Sequence, residues 1–180
     1  MKHRFRLAAA VLTALLFLTL TGCGSGSNSF TWFVDSIPAN LDPQVASSAS
    51  DIIACENLYS GLVRRTPDGD LAPELCERWE VSADRLTYTF YLKDGLTYTA
   101  SKGDPTDYAI TAEDFVFAWQ RAVDPALASE YSYMLSDIGQ VKNAAAIIAG
   151  DMDKSELGVK ALDSKTLEVT LEVPVSYFLS

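Results

Sequence analysis

The most informative stretch of the sequence is Thr87-Tyr88-Thr89-Phe90-Tyr91-Leu92. Its apolar positions 88, 90 and 92 alternate with positions 87, 89 and 91, and successive side chains of a strand point to opposite faces of a sheet. The stretch therefore predicts a β-strand with one apolar face. Residues 77–81 predict an antiparallel partner strand, which is joined to it through the link at residues 82–85.

The sequence before this hairpin predicts a helix and a turn. Residues 37–43 contain two prolines, which exclude regular structure there. Apolar residues then recur at helical spacing from Ser50 onward, and Gly61 is expected to end or loosen that helix. The residues of this apolar face are Ile52, Cys55, Tyr59 and Leu62. Pro67-Asp68-Gly69 predicts a turn between two short extended pieces.

The sequence after the hairpin predicts a short strand at residues 96–99, a loop at 101–108 and a second helix. Thr111 is the expected N-cap of that helix, and Asp124-Pro125 ends it. Its apolar stripe consists of Phe115, Ala118, Trp119 and Ala122.

The remaining segments predict a short helix at residues 142–149, closed by Gly150, and two strands at 159–162 and 166–173. Residues 30–34 are aromatic and β-branched, which favours one more short strand near the start. The fold class that follows from these elements is mixed α/β.

Composition narrows the class of protein. The chain has 180 residues and a formal net charge of −10, with 48% hydrophobic and 21% charged residues, which is typical of a globular protein. A pI near 4.4 argues against a nucleic-acid partner, because a phosphate-binding surface needs concentrated lysine and arginine.

The first residues predict an export signal. A basic start is followed by an apolar run at 7–20, which is too short for a membrane-spanning helix and suits a signal peptide. Leu20-Thr21-Gly22-Cys23 resembles the lipobox of bacterial lipoproteins. The resemblance implies a lipoprotein signal peptide at 1–22, a lipid on Cys23 and a Gly/Ser tether at 23–29. An ordinary secretory signal with a chance cysteine is the alternative.

Catalytic equipment is sparse in the exported part of the chain. The single histidine, His3, lies within the predicted signal peptide, so histidine-dependent triads and zinc sites are not expected after cleavage. We expect no catalytic residues, no metal site and no cofactor. Cys55 and Cys76 could pair as a disulfide outside the cytoplasm, or remain as two semi-buried free thiols.

Several segments, in this order and spacing, resemble the extracellular solute-binding proteins of family 5, which serve peptide ABC transporters. They include Leu41-Asp42-Pro43, the stretches 56–62, 71–81 and 86–92, and Thr111 to Arg121 with Asp124-Pro125. Residues 157–162, 166–171 and 174–178 complete the likeness. The resemblance covers residues 30–180 and is strongest to oligopeptide-binding lipoproteins.

This resemblance implies a periplasmic-binding-protein-like class II fold, a two-lobed clamp that closes on its ligand. Relatives are several hundred residues longer, so residues 30–180 are expected to be the N-terminal portion of such a domain, truncated at its C-terminus. By position, the residues that would contact the backbone of an extended peptide are Ser47, Ser48 and Ala49. Tyr131 would line the site near the peptide amino end.

The function that the resemblance implies is capture of oligopeptides outside the cell and their delivery to an ABC permease by a protein that is lipid-anchored to the membrane. A dipeptide or signalling-peptide receptor of the same fold is the nearest alternative. A surface adhesion or chaperone protein and a secreted hydrolase are alternatives of a different class, because a fold does not fix a function.

Overall fold

The computed structural model of the chain describes residues 36–99, Gly103 and residues 106–179. The predicted signal peptide, the predicted tether and the predicted strand at 30–34 lie outside the described residues. None of the helices within the described ranges is long and apolar enough to cross a bilayer.

The described elements alternate between short helices and short strands. In chain order they are α1 (Ala49–Leu58), β1 (Val63–Arg65), β2 (Leu71–Pro73), β3 (Cys76–Val81), β4 (Thr87–Leu92), β5 (Thr97–Tyr98), β6 (Tyr108–Ala109), α2 (Ala112–Ala122), α3 (Ala144–Ile148), β7 (Val159–Asp163) and β8 (Thr166–Thr170). A π-helical turn spans Met134–Ile138, and a 3₁₀ turn spans Lys154–Glu156. The mixed α/β class predicted from the sequence is confirmed.

A four-stranded antiparallel sheet in the order β3-β4-β8-β7 forms the centre of the described chain. The hairpin of β3 and β4 is confirmed, with Trp79 opposite Phe90, and β4 also pairs with β8, where Phe90 lies opposite Leu167. The predicted alternation in β4 is present, because Tyr88, Phe90 and Leu92 are buried while their neighbours are partly exposed. Two smaller antiparallel pairs, β1-β2 and β5-β6, lie outside this sheet.

The hydrophobic core lies on one face of this sheet. Leu167 and Val169 of β8 are fully buried there, and α2 packs against β7 and β8. The other buried apolar side chains of this core come from many elements. They are Leu62, Cys76, Tyr88, Phe90, Leu92, Ala112, Val123, Val141, Ala144, Ile147, Leu157, Val159 and Leu171.

Helix α2 begins and ends where the sequence predicts. The Asp114 carboxylate accepts hydrogen bonds from the Thr111 backbone N–H (2.7 Å) and hydroxyl (2.9 Å), which fixes the first turn. Its apolar stripe is less buried than predicted. Phe115 and Trp119 pack against the core while partly exposed, and the fully buried residue of the helix is Ala112. The reason is that Phe115, Ala118 and Trp119 line open cavities beside this helix.

The prediction for α1 was wrong in its end and only partly right in its buried face, because Cys55 and Leu62 are buried as predicted. The helix ends at Leu58, three residues before Gly61, and Tyr59 is half exposed. Its buried side carries Ser50 and Asp51 together with Cys55. Polar residues occupy this side because they hydrogen-bond the irregular segment that precedes the helix, an interaction that apolar periodicity does not reveal.

Other boundaries differ by a few residues from the predictions. Strand β8 ends at Thr170, because Leu171 forms an isolated bridge with Val141 and the chain then leaves the sheet. Helix α3 is shorter than residues 142–149, although Gly150 follows it with a φ of +81° as expected of a helix-terminating glycine. Tyr108, predicted in a loop, belongs to β6.

Candidate ligand-binding surface

Residues 36–48, which we call the anchor segment, contain no helix or strand and are held by polar contacts. The Asp51 carboxylate of α1 accepts hydrogen bonds from the backbone N–H groups of Ala39 (2.7 Å) and Asn40 (3.2 Å). The hydroxyls of Ser36 and Ser50 lie 2.7 Å apart. The hydrogen bonds that Asp51 accepts lower its pKa, with the Asn40 N–H as the largest cause. Helix α1 therefore fixes the first half of the segment.

The second half of the anchor segment is fixed by helix α2. The Arg121 guanidinium meets the Asp42 carboxylate with both nitrogens, Nη2 to Oδ2 at 2.6 Å and Nη1 to Oδ1 at 3.1 Å. The hydrogen bond from Arg121 lowers the pKa of Asp42, and it raises the pKa of Arg121 in turn. Such two-pronged pairs fix orientation as well as distance.

Gln44 connects this ion pair to the segment that contains Tyr131. Its side-chain carbonyl accepts a hydrogen bond from Arg121, and its Nε2 donates to the Ala118 carbonyl at 2.5 Å. The Ser129 hydroxyl donates to the Gln44 backbone carbonyl at 2.6 Å. Two segments more than 80 residues apart in sequence therefore meet at one residue.

The sequence-predicted peptide contacts flank this meeting point. Ser47, Ser48 and Ala49 are exposed and lie just beyond Gln44, where the Ser48 hydroxyl also caps α1 by accepting from the Asp51 N–H at 3.1 Å. Tyr131 lies two residues beyond Ser129 and is 39% exposed. The contact between Gln44 and Ser129 thus joins the chain just before Ser47 to the chain just before Tyr131.

Two open cavities lie on either side of Phe115, which lines both together with Ser60 and Gly61. The larger, of about 720 Å³, is bordered by α1, α2 and β5, and the smaller, of about 450 Å³, includes residues of the π-helical turn. Their linings are mostly apolar and contain neither Ser47 to Ala49 nor Tyr131. Sequence reasoning missed both cavities. The partial exposure of the α2 stripe and the π-helical turn, which accompany these cavities, are visible only in the structure.

Cys55 and Cys76 are free thiols in the structure, so the disulfide that the sequence left open is not formed there. Cys55 lies on α1 beside the larger cavity, whereas Cys76 is buried in β3 within the core. Burial raises the pKa of both thiols, and the charge of Asp51 adds to the effect at Cys55. A raised pKa keeps both cysteines in the protonated, less nucleophilic form.

A family comparison identifies the chain. Residues 70–180 match the family described as bacterial extracellular solute-binding proteins, family 5 Middle. The chain belongs to this family. Its members are solute-binding proteins, and the family assignment made from the sequence is confirmed.

Curated relatives of this family 5 chain carry names that refer to different ligands. It is 45% identical over 79% of its length to a probable deoxycholate-binding periplasmic protein of Escherichia coli, of which it covers 25%. It is 36% identical over 99% of its length to a dipeptide-binding protein of Lactococcus lactis, of which it covers 31%. The chain spans about a quarter to a third of the length of these relatives.

Solved family 5 structures confirm the fold. The oligopeptide-binding protein OppA of Haemophilus influenzae, in complex with a peptide, superposes with a TM-score of 0.70 and 40% identity, over 79% of this chain and 26% of that one. The murein tripeptide-binding protein MppA of E. coli gives 0.69 and 36% over the same shares. These neighbours are two-lobed binding proteins, and the chain matches their N-terminal part.

Proposed function

We propose that this chain is part of a receptor that captures oligopeptides outside the cytoplasmic membrane and delivers them to an ABC permease. The observation that carries the proposal is the 40% identity and matching fold shared with an oligopeptide-binding protein whose structure contains a peptide. The receptor would release its ligand unchanged, and the ATPase of the transporter would supply the energy.

The exposed residues beside Gln44 support a peptide site of the predicted kind. Ser47, Ser48 and Ala49 are small and exposed at the start of α1. The Ser48 carbonyl already accepts from the Ile52 N–H at 2.9 Å, so main-chain hydrogen bonds to an extended peptide would use the other backbone groups of these residues. Tyr131 offers an aromatic face next to the Tyr133 ring, with the two ring centroids 6.2 Å apart. Contacts of this kind bind the peptide backbone and read its side chains weakly.

A second candidate ligand is an amphipathic molecule such as deoxycholate. Two observations favour it: the 45% identity to the deoxycholate-binding relative, and the apolar cavity of about 720 Å³ between α1 and α2. A volume of this size is typical of small-molecule sites. A dipeptide or a signalling peptide would instead use the surface beside Tyr131.

Native mass spectrometry of the full-length mature protein, purified from its own cells, tests these ligands. A spread of retained masses in the range of short peptides supports the oligopeptide receptor, and a single peptide mass indicates a dedicated ligand. A steroid-sized mass supports the second candidate. A protein that retains no ligand and shows no thermal shift with either peptides or deoxycholate contradicts both.

A variant pair tests where a peptide binds. Tyr131→Ala should weaken peptide affinity in the full-length protein, whereas Tyr108→Ala, an exposed tyrosine on β6, should not. Isothermal titration with one bound peptide measures both. Equal affinities of Tyr131→Ala and the unmodified protein would exclude Tyr131 from the site.

We also propose that residues 1–22 are a lipoprotein signal peptide, that Cys23 carries the lipid and that residues 23–29 are the tether. The resemblance of residues 20–23 to a lipobox supports this. Cys23→Ser should move the full-length protein from the membrane fraction to the soluble fraction, and Cys76→Ser is the matched control. If Cys23→Ser remains membrane-bound, the lipid anchor is wrong.

A further inference from the structure

All polar groups of Gln44 are used in contacts to its surroundings. Its N–H donates to Asp42 Oδ1 at 3.1 Å, and its backbone carbonyl accepts from the Ser129 hydroxyl at 2.6 Å. Its side-chain carbonyl accepts from Arg121, and its Nε2 donates to the Ala118 carbonyl. We call Asp42, Gln44, Arg121 and Ser129 the Gln44 junction.

The Gln44 junction is expected to contribute little to the stability of the folded chain. The side chains of Asp42 and Arg121 are each 34% exposed, and ion pairs with this much solvent contact contribute little to the free energy of unfolding. A surface residue such as Gln44 does not need so many directed contacts to keep the chain folded. The two-pronged pair, together with four contacts on Gln44, instead restricts orientation, which indicates that the position of this residue matters.

The junction lies between the two segments of the proposed peptide surface. Ser47 follows Gln44 by three residues, and Tyr131 follows Ser129 by two residues. Among the described residues, the hydrogen bond from the Ser129 hydroxyl to the Gln44 carbonyl joins the two segments directly. A displacement at this contact would therefore change the spacing between Tyr131 and the backbone of Ser47 to Ala49.

We propose that Arg121 and Ser129 are positioning residues for peptide binding, acting through Gln44. They do not touch the ligand, and the inference rests on the proposed function. Arg121 fixes Gln44 against α2, and Ser129 fixes the Tyr131 segment against Gln44. The surface is thus ordered before the ligand arrives, so that binding does not bear the entropic cost of ordering it.

The test compares Ser129→Ala, which removes the hydroxyl, with Ser129→Thr, which keeps it. Ser155→Ala is the matched control, because the Ser155 hydroxyl also donates one hydrogen bond, in its case to the Asp153 carboxylate, but lies in the 3₁₀ turn after α3. Each change is made in the full-length mature protein. The probe is the tightest binder from a library of tri- to pentapeptides, and calorimetry measures its Kd.

We expect Ser129→Ala to weaken binding about fivefold, the equivalent of one ordinary hydrogen bond. Ser129→Thr should bind within about twofold of the unmodified protein, and Ser155→Ala should not differ from it. Arg121→Gln should weaken binding as well, and combining it with Ser129→Ala should add less than the sum of the two effects, because both act through Gln44. Denaturant midpoints should be similar for the three serine variants.

Two outcomes separate this inference from the proposed function. If the unmodified protein binds peptide and Ser129→Ala binds equally well, or if Ser129→Thr is as weak as Ser129→Ala, the positioning role is wrong and the receptor proposal stands. If the unmodified protein binds no peptide of the library, the receptor proposal is wrong and the positioning role with it.

Discussion

Phe90 and Asp42 represent two differently built regions of the described chain. Phe90 lies in β4 of the four-stranded sheet, is 2% exposed and has Trp79 and Leu167 as its cross-strand neighbours. Asp42 lies in the anchor segment, keeps a third of its side chain in water and has Arg121 as its main partner. The sheet is held by apolar burial and paired backbone, and the anchor segment by directed polar contacts.

This difference implies that the sheet supplies most of the stability of the chain, whereas the anchor segment determines the position of the proposed ligand surface. Removing a buried aromatic side chain from a core costs several kcal/mol, whereas a partly exposed ion pair is worth about 1 kcal/mol or less. Directed hydrogen bonds nevertheless fix angles, which apolar contacts do not. The exposed residues beside Gln44 are therefore held by the weaker but more directional contacts.

The largest effect is expected from a change in the sheet. Phe90→Ala should lower the free energy of unfolding by about 4 kcal/mol, because it removes a buried ring and leaves a cavity. Phe117→Ala is the matched control, since Phe117 of α2 is 69% exposed and should cost less than about 1 kcal/mol. Urea unfolding followed by circular dichroism measures both. Similar losses of unfolding free energy for the two variants would contradict the placement of Phe90 in the core.

A smaller effect is expected where the backbone approaches Gly158. A Cβ at this position would lie 2.6 Å from the Lys142 Cβ and 2.7 Å from the Thr170 carbonyl oxygen, so Gly158→Ala forces the backbone apart. We expect a cost of about 2 kcal/mol, as for other overpacked sites. At Gly61, the control, the nearest atom is 3.3 Å away, and Gly61→Ala should cost less. If Gly61→Ala lowered the urea midpoint more than Gly158→Ala, the close packing of Lys142 and Thr170 around Gly158 would be wrong.

A still smaller loss of stability is expected in the anchor segment. Asp42→Asn removes the charge that Arg121 meets and should cost about 1 kcal/mol or less, because both side chains are partly solvated. Asp94→Asn is the matched control, since Asp94 pairs with Lys165 but is 87% exposed, and no measurable change is expected there. If Asp42→Asn lowered the free energy of unfolding as much as Phe90→Ala does, the anchor segment would be as important for stability as the core of the sheet.

The smallest effect is a dependence on pH. Because Arg121 lowers the pKa of Asp42 in the folded chain, the ion pair contributes its stability above the pKa of an unfolded aspartate, about 3.9. This contribution is lost as the pH falls through the lower folded pKa. The stability difference between the unmodified protein and Asp42→Asn should thus be constant from about pH 7 to 5 and shrink as the pH falls below about 3.9. Urea midpoints at several pH values measure this difference. A stability difference that grows in acid would contradict a lowered pKa of Asp42.

Local patterns predicted those elements whose neighbours along the chain supply the partners. The alternation of β4, the turn at Pro67-Asp68-Gly69 and the acidic first turn of α2 were predicted correctly because each is fixed within a few residues. The buried face of α1 was not, because Asp51 is buried against backbone N–H groups of the anchor segment, and apolar periodicity carries no signal for such contacts.

Part of the candidate site came from the sequence as well, but only through the family resemblance. It indicated Ser47 to Ala49 and Tyr131, whereas the residues that hold them, Arg121 and Ser129, were not singled out. Arg121 and Asp42 are 79 residues apart. A charged residue near the end of a helix is ordinarily solvated, so its sequence position gives no indication of such a partner.

The sequence by itself determined the mixed α/β class, the hairpin of β3 and β4, the start and end of α2 and the family, because these depend on local periodicity and on the order of short motifs. The tertiary structure alone decided that β4 pairs with β8, that the two cysteines are free thiols, and that Gln44 of the anchor segment contacts Ser129, two residues before Tyr131. These features depend on contacts between distant segments. Such contacts form only when burial of the shared core brings the segments together, and no local pattern records them.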